Sequence, residues 1–288
     1  MKIGFSLLNN WGITDAQALV ELATRAEALG IDSVWVHDHV FNVGHVFDRI
    51  GGRPYYEPLT LLSFVAARTS RVRLGTSVLV LPYHNAVRLA KTAATLDVLS
   101  GGRLILGVGV GAIEKEMEAL GTPFKERGPY TDEAIAVMRT LWRDEDPTFD
   151  GAYSRFDGMK FSPKPVQQPI PIVIGGVSRA AIRRAARIGD GWQPLGLTPD
   201  ALKEGMAALR DDAKKCGRDP AQIPVSIALS IAPAGRRFAL GTEPAEIARN
   251  AKAIAALGVD TLVISATTSE PREARAALEM VARAVLPS

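Results

Sequence analysis

Short apolar runs rich in β-branched residues alternate with amphipathic helical segments along the whole chain. The apolar runs are nearly continuous instead of alternating with polar residues, which is typical of parallel strands covered on both faces. The pattern predicts eight strands: Lys2 to Leu7, Ser33 to Asp38, Val72 to Val80, Arg103 to Gly109, Pro171 to Gly176, Gly191 to Gly196, Val225 to Ile231 and Thr261 to Thr267.

Helix signals follow these strands. Ser178 opens the segment SRAAIRRAARIG, in which alanine and isoleucine share one helix face and arginines another. Thr198 followed by Pro199 has the form of an N-cap with proline at the first helical position. Eight strand–helix units in 288 residues predict an α/β fold, a (βα)8 TIM barrel formed as one domain over residues 1–288. A doubly wound open sheet is the alternative, because the number of strands does not show closure.

Two connections are longer than plain turns, which predicts insertions into the barrel. One covers residues 39–57 and mixes glycine, aromatic residues and arginine, as expected of a lid that faces a substrate. The other covers residues 110–169. It contains a predicted helix near Tyr130 to Trp142 and a predicted hairpin with Asp150-Gly151 as its turn.

The net charge and the cysteine count exclude several classes of function. Lys+Arg 34 minus Asp+Glu 31 gives a net charge of +3, too small for a nucleic-acid-binding protein. The single cysteine, Cys216, excludes an internal disulfide and a thiolate metal cluster. The N-terminal apolar run is too short for a signal peptide, and no segment has the length of a membrane span. We therefore expect a cytoplasmic protein with neither nucleic-acid nor membrane partners.

Candidate chemistry lies at the carboxyl ends of the strands, which form the working face of such a barrel. The second strand ends in His37-Asp38-His39, and alternation sends the two histidines to one side and the aspartate to the other. Histidine exchanges protons near neutral pH, so His39 is the candidate catalytic residue. The alternative is a packed His37 and a solvated His39. Since no three ligands converge with His45 in the sequence, no metal is expected.

Two glycine-rich strand ends are candidate cofactor contacts. Gly107, Gly109, Gly111 and Ala112 fit a weak dinucleotide fingerprint, but no strand with an acidic residue follows at the required distance. The glycines either make room for a flat ring at the barrel mouth or serve tight packing. The run from Gly175 through Gly176 and Val177 to Ser178 leads into a helix, whose free amides favour a phosphate. A plain tight turn is the alternative.

Longer motifs carry a family resemblance. They include SVWVHDHV at residues 33–40, LGTSVLVLPYHNAVRLAKTAATLDVLSGGRLILGVGVG at 74–111 and SRAAIRRAARIGDGW at 178–192. Together they resemble the luciferase-like monooxygenase superfamily, and within it the coenzyme F420-dependent oxidoreductases. The resemblance covers nearly the whole chain.

The resemblance implies a TIM barrel with insertions that holds a flavin or deazaflavin across its mouth. A non-prolyl cis peptide often follows the third strand of the family and backs the ring; the matching bond is Ser77-Val78. The Asp-His pair matches Asp38 and His39, with the histidine as acid or base. The expected cofactor contacts are Asp38, His39, Ser77, Val78, Gly109, Gly111, Gly175, Gly176, Val177 and Ser178. An apolar substrate wall is expected from Trp11, Phe41 and Tyr56.

The chain also departs from the branch that oxidises glucose 6-phosphate. That branch has an aromatic residue four positions after the histidine, where this chain has Val43. It has a glutamate after the glycine run, where this chain has Ala112; Glu114 and Glu116 are expected to be out of register for that role. The segment QPLGLTPD after Trp192 is not basic, so a sugar phosphate is not the expected substrate.

The leading hypothesis is an F420-dependent oxidoreductase that moves a hydride to or from a small organic molecule. Arg49 and Arg53 are possible partners of the acidic tail of that cofactor. The alternatives are an FMN-dependent monooxygenase that uses dioxygen, and a barrel that binds a flavin without catalysis. A homodimer is expected because dimers are frequent in the family.

Overall fold

The computed structural model describes residues 1–233, 235 and 237–286, and in them the sheet closes into the predicted barrel. The strands are β1 (Lys2–Ser6), β2 (Ser33–Val36), β3 (Arg73–Thr76), β4 (Leu79–Val80), β5 (Leu104–Gly109), β6 (Phe149–Asp150), β7 (Arg155–Phe156), β8 (Ile172–Gly175), β9 (Gly191–Gln193), β10 (Ser226–Ser230) and β11 (Thr261–Ser265). The parallel order is β10-β11-β1-β2-β3-β5-β8-β9. Parallel bridges between Trp192 and Val225 and between Leu195 and Ala228 join β9 to β10. The barrel prediction is confirmed and the open sheet is wrong.

Most of the helices cover the outside of the barrel, and the short helices α2 and α5 lie at its mouth. They are α1 (Ala16–Ala28), α2 (His45–Ile50), α3 (Pro58–Arg68), α4 (Ala86–Ser100), α5 (Glu114–Ala119), α6 (Arg127–Arg143), α7 (Arg179–Ile188), α8 (Pro199–Lys215), α9 (Pro244–Ala256) and α10 (Pro271–Val285). Thr198 caps α8 as predicted, accepting from the Ala201 N–H with Pro199 at the first position. Of the helices in the described ranges, none combines the length and the apolar character needed to cross a bilayer.

Alternation along each strand separates two packing layers. Val34 and Val36 face outward into the large core between sheet and helices. Trp35 faces the barrel interior, where Ile105, Val173, Ala228 and Val263 surround it. A methyl group on Gly75 would lie 2.3 Å from the Trp35 ring, so this glycine makes room for the indole. The lower interior is thus filled, and the site lies above Trp35.

The hairpin in the second insertion has a longer turn than predicted. Asp150 pairs with Arg155, so residues 151–154 form the connection, and the prediction of a two-residue Asp150-Gly151 turn is wrong. The reason lies outside the local sequence: the Glu133 carboxylate on α6 accepts from three successive N–H groups, those of Ala152, Tyr153 and Ser154. A tertiary contact therefore sets the turn.

Candidate functional site

His39 stands just after β2, where a buried carboxylate holds its ring. The Nδ1 atom lies 2.7 Å from Oε2 of Glu116, on α5. The same Oε2 accepts from the Tyr83 hydroxyl at 2.7 Å, and Oε1 accepts from the N–H groups of Val40 and Phe41. Because a carboxylate only accepts, Nδ1 carries a proton and Nε2 of His39 is free for a ligand.

Glu116 is ionised in this setting. Its burial raises the cost of the charge, but hydrogen bonds from His39, the Phe41 N–H and Tyr83 outweigh burial and hold its pKa below its usual value. Burial and the hydrogen bond to Glu116 raise the pKa of Tyr83, so this phenol remains a donor. Sequence reasoning missed this contact, in which α5 turns the Glu116 carboxylate back to His39. The expectation that Glu114 and Glu116 are out of register for the glutamate of the glucose 6-phosphate branch stays a prediction.

His37 belongs to a polar chain across the upper barrel. Its Nδ1 lies 2.6 Å from the Ser77 carbonyl oxygen and its Nε2 lies 3.0 Å from the Ser6 hydroxyl. The Ser77 hydroxyl donates to Oε1 of Gln193 at 2.7 Å. Burial lowers the pKa of His37 to about 4, so the ring is neutral and donates from Nδ1 to the carbonyl. This histidine is a packed strand residue, and its contacts fix Ser77.

Asp38 points outward, as the alternation predicts. Its Oδ2 accepts from the Val80 N–H at 2.9 Å and from Nε2 of His84 at 2.8 Å. Burial lowers the pKa of His84, but the hydrogen bond and charge of Asp38 outweigh burial, so the net shift is upward. Asp38 thereby anchors the segment after Ser77-Val78; its contact with a cofactor stays a prediction.

The Ser77-Val78 peptide bond is cis, as the resemblance implies. Leu74 of β3 pairs with Leu104 of β5, and Leu79 of β4 pairs with Val108 of β5. The segment that joins β3 and β4 therefore has one residue more than the matching part of β5, and it bulges between these two pairs. The expectation of a bulge at this bond is confirmed.

The glycines around this bulge are required by packing. A methyl group on Gly109 would lie 2.8 Å from Val78, and one on Gly175 would lie 2.5 Å from it. On Gly107 it would lie 1.9 Å from the Thr76 carbonyl oxygen. Gly111 has φ +76°, and its methyl group would meet Val80 at 2.7 Å. Val78 therefore fills the gap next to Gly109 and Gly175, which supports the packing interpretation of the glycine run; the contact of Gly109, Gly111 and Gly175 with a cofactor stays a prediction.

The β8–α7 corner borders a cavity of about 290 Å³. Ser178 caps α7 by accepting from the Ala181 N–H at 3.2 Å, and Gly176 has φ +118°, which only glycine adopts without strain. Val177 is exposed. Lys125, Arg127 and Arg184 also line the cavity. Arg184 is paired with the Asp132 carboxylate, so Lys125 and Arg127 make the rim cationic. An anion at this corner stays a prediction, and sequence reasoning missed the cations from the second insertion.

The three predicted substrate residues differ in their surroundings. Trp11 lies beneath the Arg49 guanidinium, 5.3 Å from ring centroid to Cζ, and Phe41 is exposed at the mouth. Tyr56 instead ties two loops together, since its hydroxyl donates to the Thr14 carbonyl at 2.9 Å. The neighbouring Tyr55 packs edge-on against His39, with ring centroids 5.8 Å apart. Its hydroxyl is buried and lacks a partner within the described residues.

The residues at the mouth fit a flat, polar ring system. Nε2 of Gln193 is buried without an acceptor in the described structure, while Oε1 of the same side chain accepts from Ser77. A buried amide whose NH2 group lacks an acceptor, beside the Val78 bulge, suits a ring that carries carbonyl oxygens. For a metal the site has no such fit: in the described ranges no three His, Cys, Asp or Glu side chains are grouped to hold an ion.

Comparison with known proteins adds sequence relatives. The luciferase-like monooxygenase family profile matches residues 1–239. An F420-dependent glucose-6-phosphate dehydrogenase of Amycolatopsis mediterranei is 39% identical over 197 residues, which are 67% of this chain and 56% of that protein. An uncharacterised protein of Mycobacterium bovis is 33% identical over 220 residues, 72% of this chain and 75% of that protein.

Solved structures share the fold. An F420-dependent secondary alcohol dehydrogenase in complex with an F420-acetone adduct has a TM-score of 0.84 at 21% identity, covering 99% of both chains. The monooxygenase RslO1 of Streptomyces bottropensis has a TM-score of 0.83 at 24% identity, covering 100% of this chain and 99% of its own. At these identities the likeness concerns the barrel alone.

Proposed function

The chain belongs to the luciferase-like monooxygenase family of enzymes, and we propose that it is a coenzyme F420-dependent oxidoreductase acting on a small organic molecule. The observation that carries this proposal is His39, a histidine at the barrel mouth whose Nδ1 is fixed by the buried Glu116 carboxylate. Such a pair leaves Nε2 as a positioned proton acceptor or donor.

The cofactor would lie across the mouth, and each part of it has candidate partners. Ser77 and Val78 would support the ring from below, and Nε2 of Gln193 would donate to a ring carbonyl. The N–H groups of Val177 and Ser178, with the cationic cavity beside them, would hold the phosphate, whereas the Gly176 N–H donates to the Gln193 carbonyl. Bound in this way, a deazaflavin supplies a ring carbon that exchanges a hydride with the substrate.

The protein's own chemistry would then be proton transfer and placement. When an alcohol carbon loses its hydride, Nε2 of His39 takes the hydroxyl proton and an aldehyde or ketone is left; in the reverse direction the same atom returns the proton. Glu116 stabilises the imidazolium that forms and keeps the ring in one orientation. The Tyr83 bond to the same oxygen keeps that carboxylate in place.

The alternative is an FMN-dependent monooxygenase. It is favoured by solved monooxygenase structures with the same fold, among them a type II Baeyer-Villiger monooxygenase in complex with FMN, from a Pseudomonas putida plasmid (TM-score 0.77, 17% identity, covering 100% of this chain and 98% of that chain). The cationic corner suits the phosphate of either cofactor. A barrel that binds without turnover is the third hypothesis, and it predicts binding without reduction of any acceptor.

Titration of the purified protein with F420 and with FMN tests the proposal. We expect saturable micromolar binding of F420, followed by its reduction or oxidation with an alcohol or ketone panel. Binding of FMN alone would refute the cofactor assignment. His39→Ala is expected to slow turnover far more than it weakens F420 binding, and an unchanged rate would remove His39 from the mechanism. The homodimer stays a prediction of the resemblance, which light scattering tests.

A further inference from the structure

Arg49, in α2, is a half-buried cation without a carboxylate within ion-pair distance among the residues described. Its Nε donates to the Asn10 carbonyl at 3.2 Å, and its guanidinium lies over the Trp11 ring. These two contacts hold the side chain beside the ends of β1 and β2. The two terminal nitrogens make no hydrogen bond within the described part of the chain, so a bidentate face is free for an anion.

A second unsatisfied donor lies nearby. The Tyr55 hydroxyl is buried without a partner among the described atoms, and its ring packs against His39. Burial and the neighbouring carboxylates raise the pKa of Tyr55, so the phenol keeps its proton. A buried donor without an acceptor costs free energy unless a ligand supplies that acceptor. Tyr55 and His39 thus offer one donor and one proton-exchanging nitrogen beside each other.

The cofactor phosphate does not explain Arg49. The cationic cavity at Gly175 and Ser178 follows β8, and Arg49 lies with the loops after β1 and β2, on the far side of the ring of strands. A cofactor ring bound across the mouth would lie between the two regions. An anion at Arg49 is therefore a group of the substrate.

We infer that the substrate is a hydroxy or oxo carboxylic acid, with its carboxylate bound by Arg49 and its alcohol or carbonyl oxygen between His39 and Tyr55. This inference rests on the proposed function, because it assigns the substrate of the same site. A carboxylate is favoured over a phosphate because the free face of one guanidinium, that of Arg49, matches the two oxygens and the single charge of a carboxylate. His45 and Arg237 are the other basic residues near His39 and Arg49, and burial together with the charges of His39, Arg49 and Arg237 lowers the pKa of His45.

Ligand-observed NMR on the full chain without cofactor tests the inference with matched probes, 2-oxohexanoate and 2-hexanone. We expect the acid to bind at least about tenfold more tightly than the ketone. Arg49→Gln should weaken binding of the acid about tenfold to a hundredfold and leave binding of the ketone unchanged. The affinity of Arg49→Lys for the acid should lie between those of the unaltered protein and Arg49→Gln. The control Arg68→Gln, an exposed arginine at the end of α3, removes the same charge and should change neither probe.

Tyr55→Phe supplies a separate measurement. It should weaken 2-oxohexanoate several-fold, and its melting temperature should not fall, because the lost hydroxyl has no partner in the described fold. Equal binding of acid and ketone, or tighter binding of dihydroxyacetone phosphate than of the acid, would overturn the inference.

F420 titrations of the same variants separate this inference from the proposed function. If Arg49→Gln weakens F420 but not 2-oxohexanoate, Arg49 serves the cofactor tail and the inference is wrong. If the unaltered protein binds the acid through Arg49 but not F420, the proposed function fails while the substrate assignment stands.

Discussion

The Nδ1 atom of His39 and the Oε2 atom of Glu116 lie 2.7 Å apart, although 77 residues separate them in the chain. The loop after β2 and the helix α5 after β5 meet above the barrel mouth to make this contact. Both Glu116 oxygens also accept hydrogen bonds from other donors, so the position of the carboxylate does not depend on the imidazole alone. The pair is therefore a preorganised unit.

Glu116→Gln tests that unit. The amide keeps the shape but loses the charge that stabilises a protonated His39, so we expect turnover to fall about tenfold to a hundredfold with F420 affinity nearly unchanged. Tyr83→Phe removes a single hydrogen bond to the same carboxylate and should lower turnover about tenfold or less. Steady-state rates and fluorescence titrations measure both effects, and an unaltered rate in the Gln variant would exclude Glu116 from proton transfer.

Glu116 also predicts an acid-dependent loss of stability. Its pKa is lower in the folded chain than in the unfolded chain, so the unfolded state takes up the proton first as pH falls. The stabilisation is complete above the ordinary glutamate pKa of 4.5 and is lost as pH falls below it. Urea unfolding from pH 6 to pH 3.5 should show a steeper loss in the unaltered protein than in Glu116→Gln. Parallel curves would contradict this assignment.

The Asp38–His84 pair predicts the opposite pH dependence of stability, a contribution that is lost as pH rises. The pKa of His84 is raised in the folded state, so its stabilisation is complete below the ordinary histidine pKa of 6.5 and is lost as pH rises through the folded value. His84→Gln should therefore cost most below pH 6.5 and least at pH 8.5. Urea midpoints across this range measure the difference, and a penalty independent of pH would show that the pair is not ionic.

The strands and their burial were predictable from the sequence because hydrophobic runs are local information. The length of the third strand was not: Val72 to Val80 reads as one apolar run, but the Ser77-Val78 bulge divides it. The break was predicted from the family resemblance, because the hydrophobic pattern alone does not show it.

The candidate site was predictable only in part. His39 follows from its place at a strand end, whereas Glu116 depends on how residues 110–116 turn back over the barrel, which a count from the glycine run does not show. The packing of Val78 against Gly109 and Gly175 joins three segments far apart in sequence. Tyr55 and Tyr56 look equivalent in the sequence, and only the fold tells which ring reaches His39.

The contact between Gly175 and Val78 can be tested by a double-mutant cycle. Gly175→Ala places a methyl group 2.5 Å from Val78, which should destabilise the protein by about 1–3 kcal/mol. Val78→Ala removes the obstructing methyl groups, so the double variant should be more stable than the sum of the single effects. Chemical unfolding of the four proteins measures the coupling. Strict additivity would show that the two side chains do not meet.

The cationic cavity beside Ser178 leads to a prediction about charge. Lys125 and Arg127 line it, and the Arg127 guanidinium is held by the Phe124 carbonyl at 2.6 Å. If the cofactor phosphate and acidic tail bind here, Lys125→Gln and Arg127→Gln should each weaken F420 about three- to tenfold, with a shallower salt dependence. Affinity for a deazaflavin that lacks phosphate and tail should not change. Lys203→Gln, an exposed change on α8, is the matched control. Equal losses for the shortened deazaflavin would place these cations near the ring instead, and no loss for F420 would remove this corner from cofactor binding.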